Sequence, residues 1–189
     1  MRIPMLVLCL LSVHAANAAE VAGVRVPDRV QLGASPLVLN GAGVRTRIVF
    51  KVYVGALYLA EKKGSAAEAV ALKGPKRVSM TLLRELTAEQ LVEALEDGIR
   101  RNHGEAEVAA LKARMDALAA TMRAIGKAPE KTVVTLDYVP GTGTRLTVDG
   151  ATRGEPIAGE DFYAALLGIW LGDKPVDASL KKAMLGEGG

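Results

Sequence analysis

The sequence predicts an α+β domain in which helices cover one face of a largely antiparallel sheet. Three observations carry this. Alternating, β-rich segments occupy both flanks, from Val24 to Leu59 and from Lys131 to Val148. Two long helical patterns fill the middle, opened by a capping box at Thr87. No repeat, low-complexity tract or long linker separates the parts, so a chain of 189 residues, 50% hydrophobic, reads as one domain around one core.

Residues 1–18 read as a secretory signal peptide and residues 19–189 as the domain. Arg2 supplies the charge, Ile3 to Val13 the apolar run, and Ala15-Ala16-Asn17-Ala18 the small residues before a cut after Ala18 or one residue later. The alternative is an N-terminal anchor, but a run of about 11 residues is too short for a hydrocarbon core of ~30 Å. Export and a periplasmic location are therefore expected, with no integral membrane segment after processing. Cys9 leaves with the signal, and the mature chain has no cysteine. Disulfides, catalytic thiolates and cysteine-ligated metals are thereby excluded. His103 is the one mature histidine, and neither a metal nor a cofactor is expected.

The first strands are Val24 to Val26, Val30 to Leu32 and Leu37 to Leu39, separated by turn chemistry at Pro27-Asp28 and Gly33-Ala34-Ser35-Pro36. Asn40-Gly41-Ala42-Gly43 reads as a further turn, followed by one long strand-like run from Val44 to Ala60. An Ala-rich turn at Ser65 to Leu72 precedes a strand from Arg77 to Leu83. Thr87 and Gln90 form the two halves of the capping box and open a helix that should end near Asn102. Beyond Gly104, Val108, Leu111, Met115, Leu118, Met122 and Ile125 recur at spacings of three and four, the apolar stripe of a second helix packed against something flat. Lys131 to Val139 and Thr144 to Val148 form a hairpin over the four residues Pro140 to Gly143. Helices over Glu160 to Leu171 and Ala178 to Leu185 close the chain.

Few residues carry chemistry. Aromatic side chains make up 4% of the chain and the formal charge is +3, with both signs interspersed, which argues against nucleic-acid binding. Gly41-Ala42-Gly43 precedes a strand, so no helix N-terminus is there to cradle a phosphate. Glu105 and Glu107 begin a helix, where carboxylates favour the positive end of the dipole. His103 ends one, which suits a cap or a surface residue. The run from Val44 to Ala60 is more informative. Its even positions are apolar apart from Thr46, while its odd positions include Arg45, Arg47 and Lys51, so one face should be buried and the other cationic. These cations either face solvent or hold a carboxylate or phenolate in a guanidinium fork. Arg45 and Tyr53 are about 26 Å apart on a straight strand, so they share a ligand only if the segment folds back between them.

The string Leu39-Asn40-Gly41-Ala42-Gly43-Val44-Arg45, continued by Phe50 to Leu59, resembles the bacterial chalcone isomerase-like proteins. Leu86-Thr87-Ala88-Glu89-Gln90 and the stretch from Phe162 to Asp177 share the resemblance, which covers nearly all the mature chain. It implies an open-faced β-sandwich: a large antiparallel sheet under a layer of helices, with the ligand cleft between them. In the plant enzymes of this family an Arg holds the substrate's oxygen, and a Thr, a Tyr and an Asn complete the site. The Arg matches Arg45, and the Thr position falls on Tyr53. The Tyr and Asn positions fall on Leu91 and Gly98, which removes two groups that would orient substrate and water. The resemblance is thus nearer to the family's non-catalytic members, which are similar to fatty-acid carriers and keep the Arg as a carboxylate anchor.

The expected function is an exported, non-catalytic protein whose cleft binds a small amphipathic anion of fatty-acid or phenolic type, with Arg45 and Tyr53 as ligand-binding residues and no residue assigned to catalysis. One alternative is an isomerase or intramolecular lyase acting on a non-chalcone enone or phenol, with Arg45 stabilising a developing oxyanion and Tyr53 donating. Another is an envelope protein-interaction factor using the helical face and Trp170.

Overall fold

The computed structural model describes residues 18–187; residues 1–17 of the expected signal segment lie outside them. Strands β1 (Ala18–Val21) and β2 (Val24–Pro27) pair as a separate hairpin. Then follow β3 (Arg29–Leu32), β4 (Ser35–Arg47), β5 (Phe50–Leu59), α1 (Ala66–Ala71), β6 (Lys76–Leu82) and β7 (Leu86–Thr87). Helices α2 (Ala88–Asn102) and α3 (Glu105–Ile125) come next, before β8 (Lys127–Ala128), β9 (Val133–Val139), β10 (Gly143–Val148) and β11 (Ala151–Ile157). The chain closes with α4 (Glu160–Leu171) and α5 (Ala178–Met184). Seven strands form one antiparallel sheet in the order β11-β10-β9-β6-β5-β4-β3, and β7 pairs with β8 in a small flap.

The α+β architecture with helices over one face is the one expected. The larger core lies under those helices, where Leu57, Val78, Leu82 and Leu136 of the sheet meet Ile99, Leu118, Phe162 and Leu166. A smaller core on the opposite face joins Val54, Ala56 and Tyr58 of β5 to Leu37, and Val26 of the β1–β2 hairpin packs into it. The capping box at Thr87 forms in both directions: Gln90 donates its amide to Thr87 Oγ1 at 3.2 Å, and Thr87 donates its own to Gln90 Oε1 at 3.0 Å.

Two expectations about the N-terminal half are corrected. Asn40-Gly41-Ala42-Gly43 is not a turn but lies within β4, whose pairing with β5 is irregular between Leu39 and Gly41. The glycines are there for close approach and not for a left-handed backbone: a Cβ on Gly43 would come within 2.6 Å of Ala183 Cβ, and one on Gly41 would meet the Ala183 carbonyl. Helix α5 thus lies directly on β4. Asn40 fixes it there by donating to the Met184 carbonyl at 2.8 Å and to the Lys63 carbonyl at 3.0 Å.

The run from Val44 to Ala60 is not one strand either. It reverses at Ile48-Val49, between β4 and β5. Its cations gather around this turn, while Val52 to Leu59 is buried on both faces, by the helices on one side and by the smaller core on the other.

Nearer the C-terminus, the β9–β10 turn spans three residues, Pro140 to Thr142, because Gly143 already pairs with Val139. Edge strand β11 was not expected. Its side chains are exposed almost throughout, so no apolar alternation marks it.

Candidate functional site

The turn at Ile48-Val49 creates the site. It sets Arg45 at the end of β4 directly across from Tyr53 on β5. The fold-back that shared use of one ligand requires is therefore present: the Arg45 guanidinium carbon lies 5.5 Å from the centre of the Tyr53 ring. A second irregularity, between Arg45 and Thr46, leaves Val52 without a cross-strand partner. Val52 and Tyr53 both join the core beneath the helices.

Helix α4 completes the polar centre. Trp170 Nε1 donates to the Tyr53 hydroxyl at 2.8 Å, both residues being buried. Burial pushes the Tyr53 phenol above its ordinary value, against the opposing pull of the Arg45 charge and the Trp170 bond. The phenol therefore stays neutral near pH 7 and keeps its own O–H to donate. Arg45 Nε is buried and has no hydrogen-bond partner. A buried donor left unpaired is costly in a native fold and calls for an explanation. The nearby Asp177 carboxylate is already engaged, accepting from the Thr46 amide at 2.9 Å and from the Ser179 and Leu180 amides at the start of α5.

These groups open into a cavity of about 420 Å³ between the sheet and helices α2 and α4. Arg45 and Tyr53 supply polar groups, while Met80, Leu91, Leu95, Met122, Leu136 and Ile169 supply apolar wall. Exposed cations stand at its opening, Arg47 and Arg84 beside the β4–β5 turn and Arg101 and Lys174 on the helical side. The carboxylates lining it are Glu93 and Asp97, both on the open face of α2, and Asp97 pairs with Arg101 at 3.6 Å.

Leu91 and Gly98, the two departures noted in the sequence, both line this cavity. Gly98 lies where α2 crosses α4 so closely that a Cβ would come within 2.8 Å of Ile169 Cγ1 and Cγ2. An Asn there would have to shift Ile169 or the helix that carries it. His103 lies away from the cavity: it caps α2 and holds Glu107 Oε1 at 2.9 Å through Nδ1. Among the described residues no group of three or more His, Cys, Asp or Glu side chains is arranged to hold a metal. Trp170 faces inward, so the helical surface does not present it to a partner. Its bond to Tyr53 escaped sequence reasoning, as did Arg84, Arg101 and Lys174, because elements far apart in sequence bring them together.

A family model described as chalcone isomerase-like matches residues 18–186. The chain belongs to the chalcone isomerase-like family. No curated protein matches it. Among solved structures, a fatty-acid binding protein from Arabidopsis thaliana is similar, with a TM-score of 0.66 at 14% identity, covering 88% of this chain and 93% of that one. At that identity the likeness establishes the fold, which is the chalcone isomerase-like one. Among the described residues no helix is long and apolar enough to cross a membrane.

Proposed function

We propose that the protein binds a small amphipathic carboxylate without transforming it, the head on Arg45 and Tyr53 and the tail among the aliphatic side chains of α2, α4 and the sheet. The observation that carries this is the orphaned, buried Arg45 Nε beside a neutral phenol at a cavity with an aliphatic wall. An anion's oxygens would accept from both groups, and charge-assisted bonds of this kind are the strong ones. The volume falls within the range of small-molecule sites. The similarity to a fatty-acid binding protein supports the same class of ligand. An isomerase would use the same donors to polarise a carbonyl, but Leu91 and Gly98 line the cavity where the resemblance places the Tyr and Asn that orient substrate and water.

Mass spectrometry of what the purified protein releases on denaturation tests the reading. A carboxylate of aliphatic type is expected. In a titration with saturated fatty acids, each further methylene taken into the cavity should tighten binding by about fourfold, the equivalent of ~0.8 kcal/mol, until the space is full. Affinity independent of chain length would remove the tail site. Turnover of an enone or phenolic substrate near the ordinary enzymatic range of about 1 to 10³ per second would replace binding by catalysis. Export belongs to the same proposal, on the strength of Arg2, the apolar run and the small residues ending at Ala18. Protein from the native compartment that still carries Met1 would overturn it.

A further inference from the structure

The turn that builds the site has an outer side. Ile48, Val49 and Phe50 are exposed to 88%, 77% and 57%, and they are the large hydrophobic side chains that stand exposed among the described residues. Ile48 also adopts φ +60°, a left-handed backbone that β-branched residues rarely take. Tight hairpins ordinarily use Asn, Asp or Gly in such positions. Folding alone would favour polar, unstrained residues at a solvent-facing tip.

The flanks of the tip are cationic. Arg47 precedes it, Lys51 follows it, and the Arg84 guanidinium carbon lies 5.2 Å from the centre of the Phe50 ring. Among the described residues none of these three cations has a carboxylate within ion-pair distance. The neighbouring carboxylates are otherwise placed: Glu85, beside Arg84, pairs with Lys127 at 3.3 Å, Asp97 holds Arg101, Asp177 faces the Thr46 amide, and Glu93 stands across the opening on α2. Ile48, Phe50, Arg47 and Arg84 also line the cavity, so tip and opening are one structure.

We propose that the β4–β5 tip docks on the surface of a bilayer containing anionic phospholipid. Ile48, Val49 and Phe50 enter the boundary between headgroups and acyl chains while Arg47, Lys51 and Arg84 meet the phosphates. Three apolar side chains on a narrow protrusion suit insertion into a deformable layer better than the flat, extended contact a stable protein partner provides. Docking presents the cavity opening to the lipid, so an amphipathic ligand passes between bilayer and cavity without crossing water. The passage of ligand rests on the ligand reading, whereas the docking itself does not, since the tip needs no occupant in the cavity.

Sedimentation of the purified protein with vesicles of phosphatidylcholine, alone or mixed with phosphatidylglycerol, tests it. Binding is expected on the mixed vesicles and should weaken as salt is raised. Replacing the tip by Ile48→Ser and Phe50→Ser together should weaken it by at least about tenfold. Arg47→Ala, Lys51→Ala and Arg84→Ala should each cost about fivefold. All these side chains are exposed, and a circular dichroism melt shows whether each variant is folded; Val49→Asp offers a second tip variant should the double serine variant fail to fold. No binding to the mixed vesicles overturns the proposal, as does equal binding to phosphatidylcholine alone. Folded tip variants that sediment like the parent overturn it too. Failure here would leave the carboxylate titration above untouched, and the reverse also holds.

Discussion

Replacing Arg45 with alanine should separate ligand binding from stability. The Arg45 side chain meets the fold at Tyr53, whose ring centre lies 5.5 Å from its guanidinium carbon and whose phenol its charge acts on, and it imposes one cost, a buried Nε without a partner. A cation over an aromatic face contributes about 0.5 to 2 kcal/mol. An unpaired buried donor costs about 1 to 3 kcal/mol, so the two offset each other and the thermal midpoint should change little or rise. Binding behaves differently. Removing one partner of a buried charged pair costs about 2 to 5 kcal/mol, a weakening of about thirtyfold or more. Arg47, two residues on, is exposed at the cavity opening, and its removal should cost at most about 1 kcal/mol, roughly fivefold. Arg45→Lys keeps the charge but not the fork, and should fall between them. Displacement of a fluorescent fatty acid at fixed ionic strength measures all three variants, with melts alongside. Equal losses for Arg45→Ala and Arg47→Ala would refute the reasoning, because the site would then be a diffuse cationic rim without an anchor. A large fall in the Arg45→Ala midpoint would refute the assignment of its orphaned donor to a ligand.

Tyr53→Phe leaves the Trp170 indole N–H without its acceptor and should cost about 1 to 3 kcal/mol of stability. With Trp170→Phe added, the double variant should lose less than the sum of the two single losses in a chemical denaturation series, and strict additivity would mean that the bond contributes nothing. Gly98→Asn should not create isomerase activity and should destabilise by about 1 to 3 kcal/mol, because its side chain overlaps Ile169; an unchanged midpoint would show that α2 and α4 are free to separate. Burial pushes Tyr53 and Tyr163 above the ordinary tyrosine value and Tyr58 up to about 12. The folded state thus keeps protons that the unfolded chain releases near pH ~10, so this stabilisation is complete below that pH and is lost as pH rises toward the folded values. Urea midpoints measured across this range should fall, and a flat profile would contradict the shifts.

Local chemistry made much of the fold legible from sequence. The capping box at Thr87, the stripe from Leu111 to Met122 and the helix from Glu160 to Leu171 depend on spacings within one element, which the chain carries openly. Arg45 and Tyr53 were singled out by the resemblance to the chalcone isomerase-like family, since the alternation alone set Arg45 beside Arg47 and Lys51 on one face. What sequence could not supply was the position of the turn between them. Ile48-Val49 has no turn residues, and a β-branched residue in a left-handed backbone is not something a sequence reading expects. Asn40 to Gly43 misled for the complementary reason: glycine serves both reversal and close approach, and only the packing of α5 on β4 distinguishes the two. Strand β11 was hidden because an exposed edge strand is held by main-chain hydrogen bonds to its neighbour, which leave little mark on side-chain pattern. The Trp170 bond to Tyr53 joins residues 117 positions apart, and the cavity exists only where α2 and α4 lie over the sheet. Sequence determined which groups were available, and the tertiary structure decided which of them meet, because contact across elements depends on the crossing of packed backbones and not on spacing along any one of them.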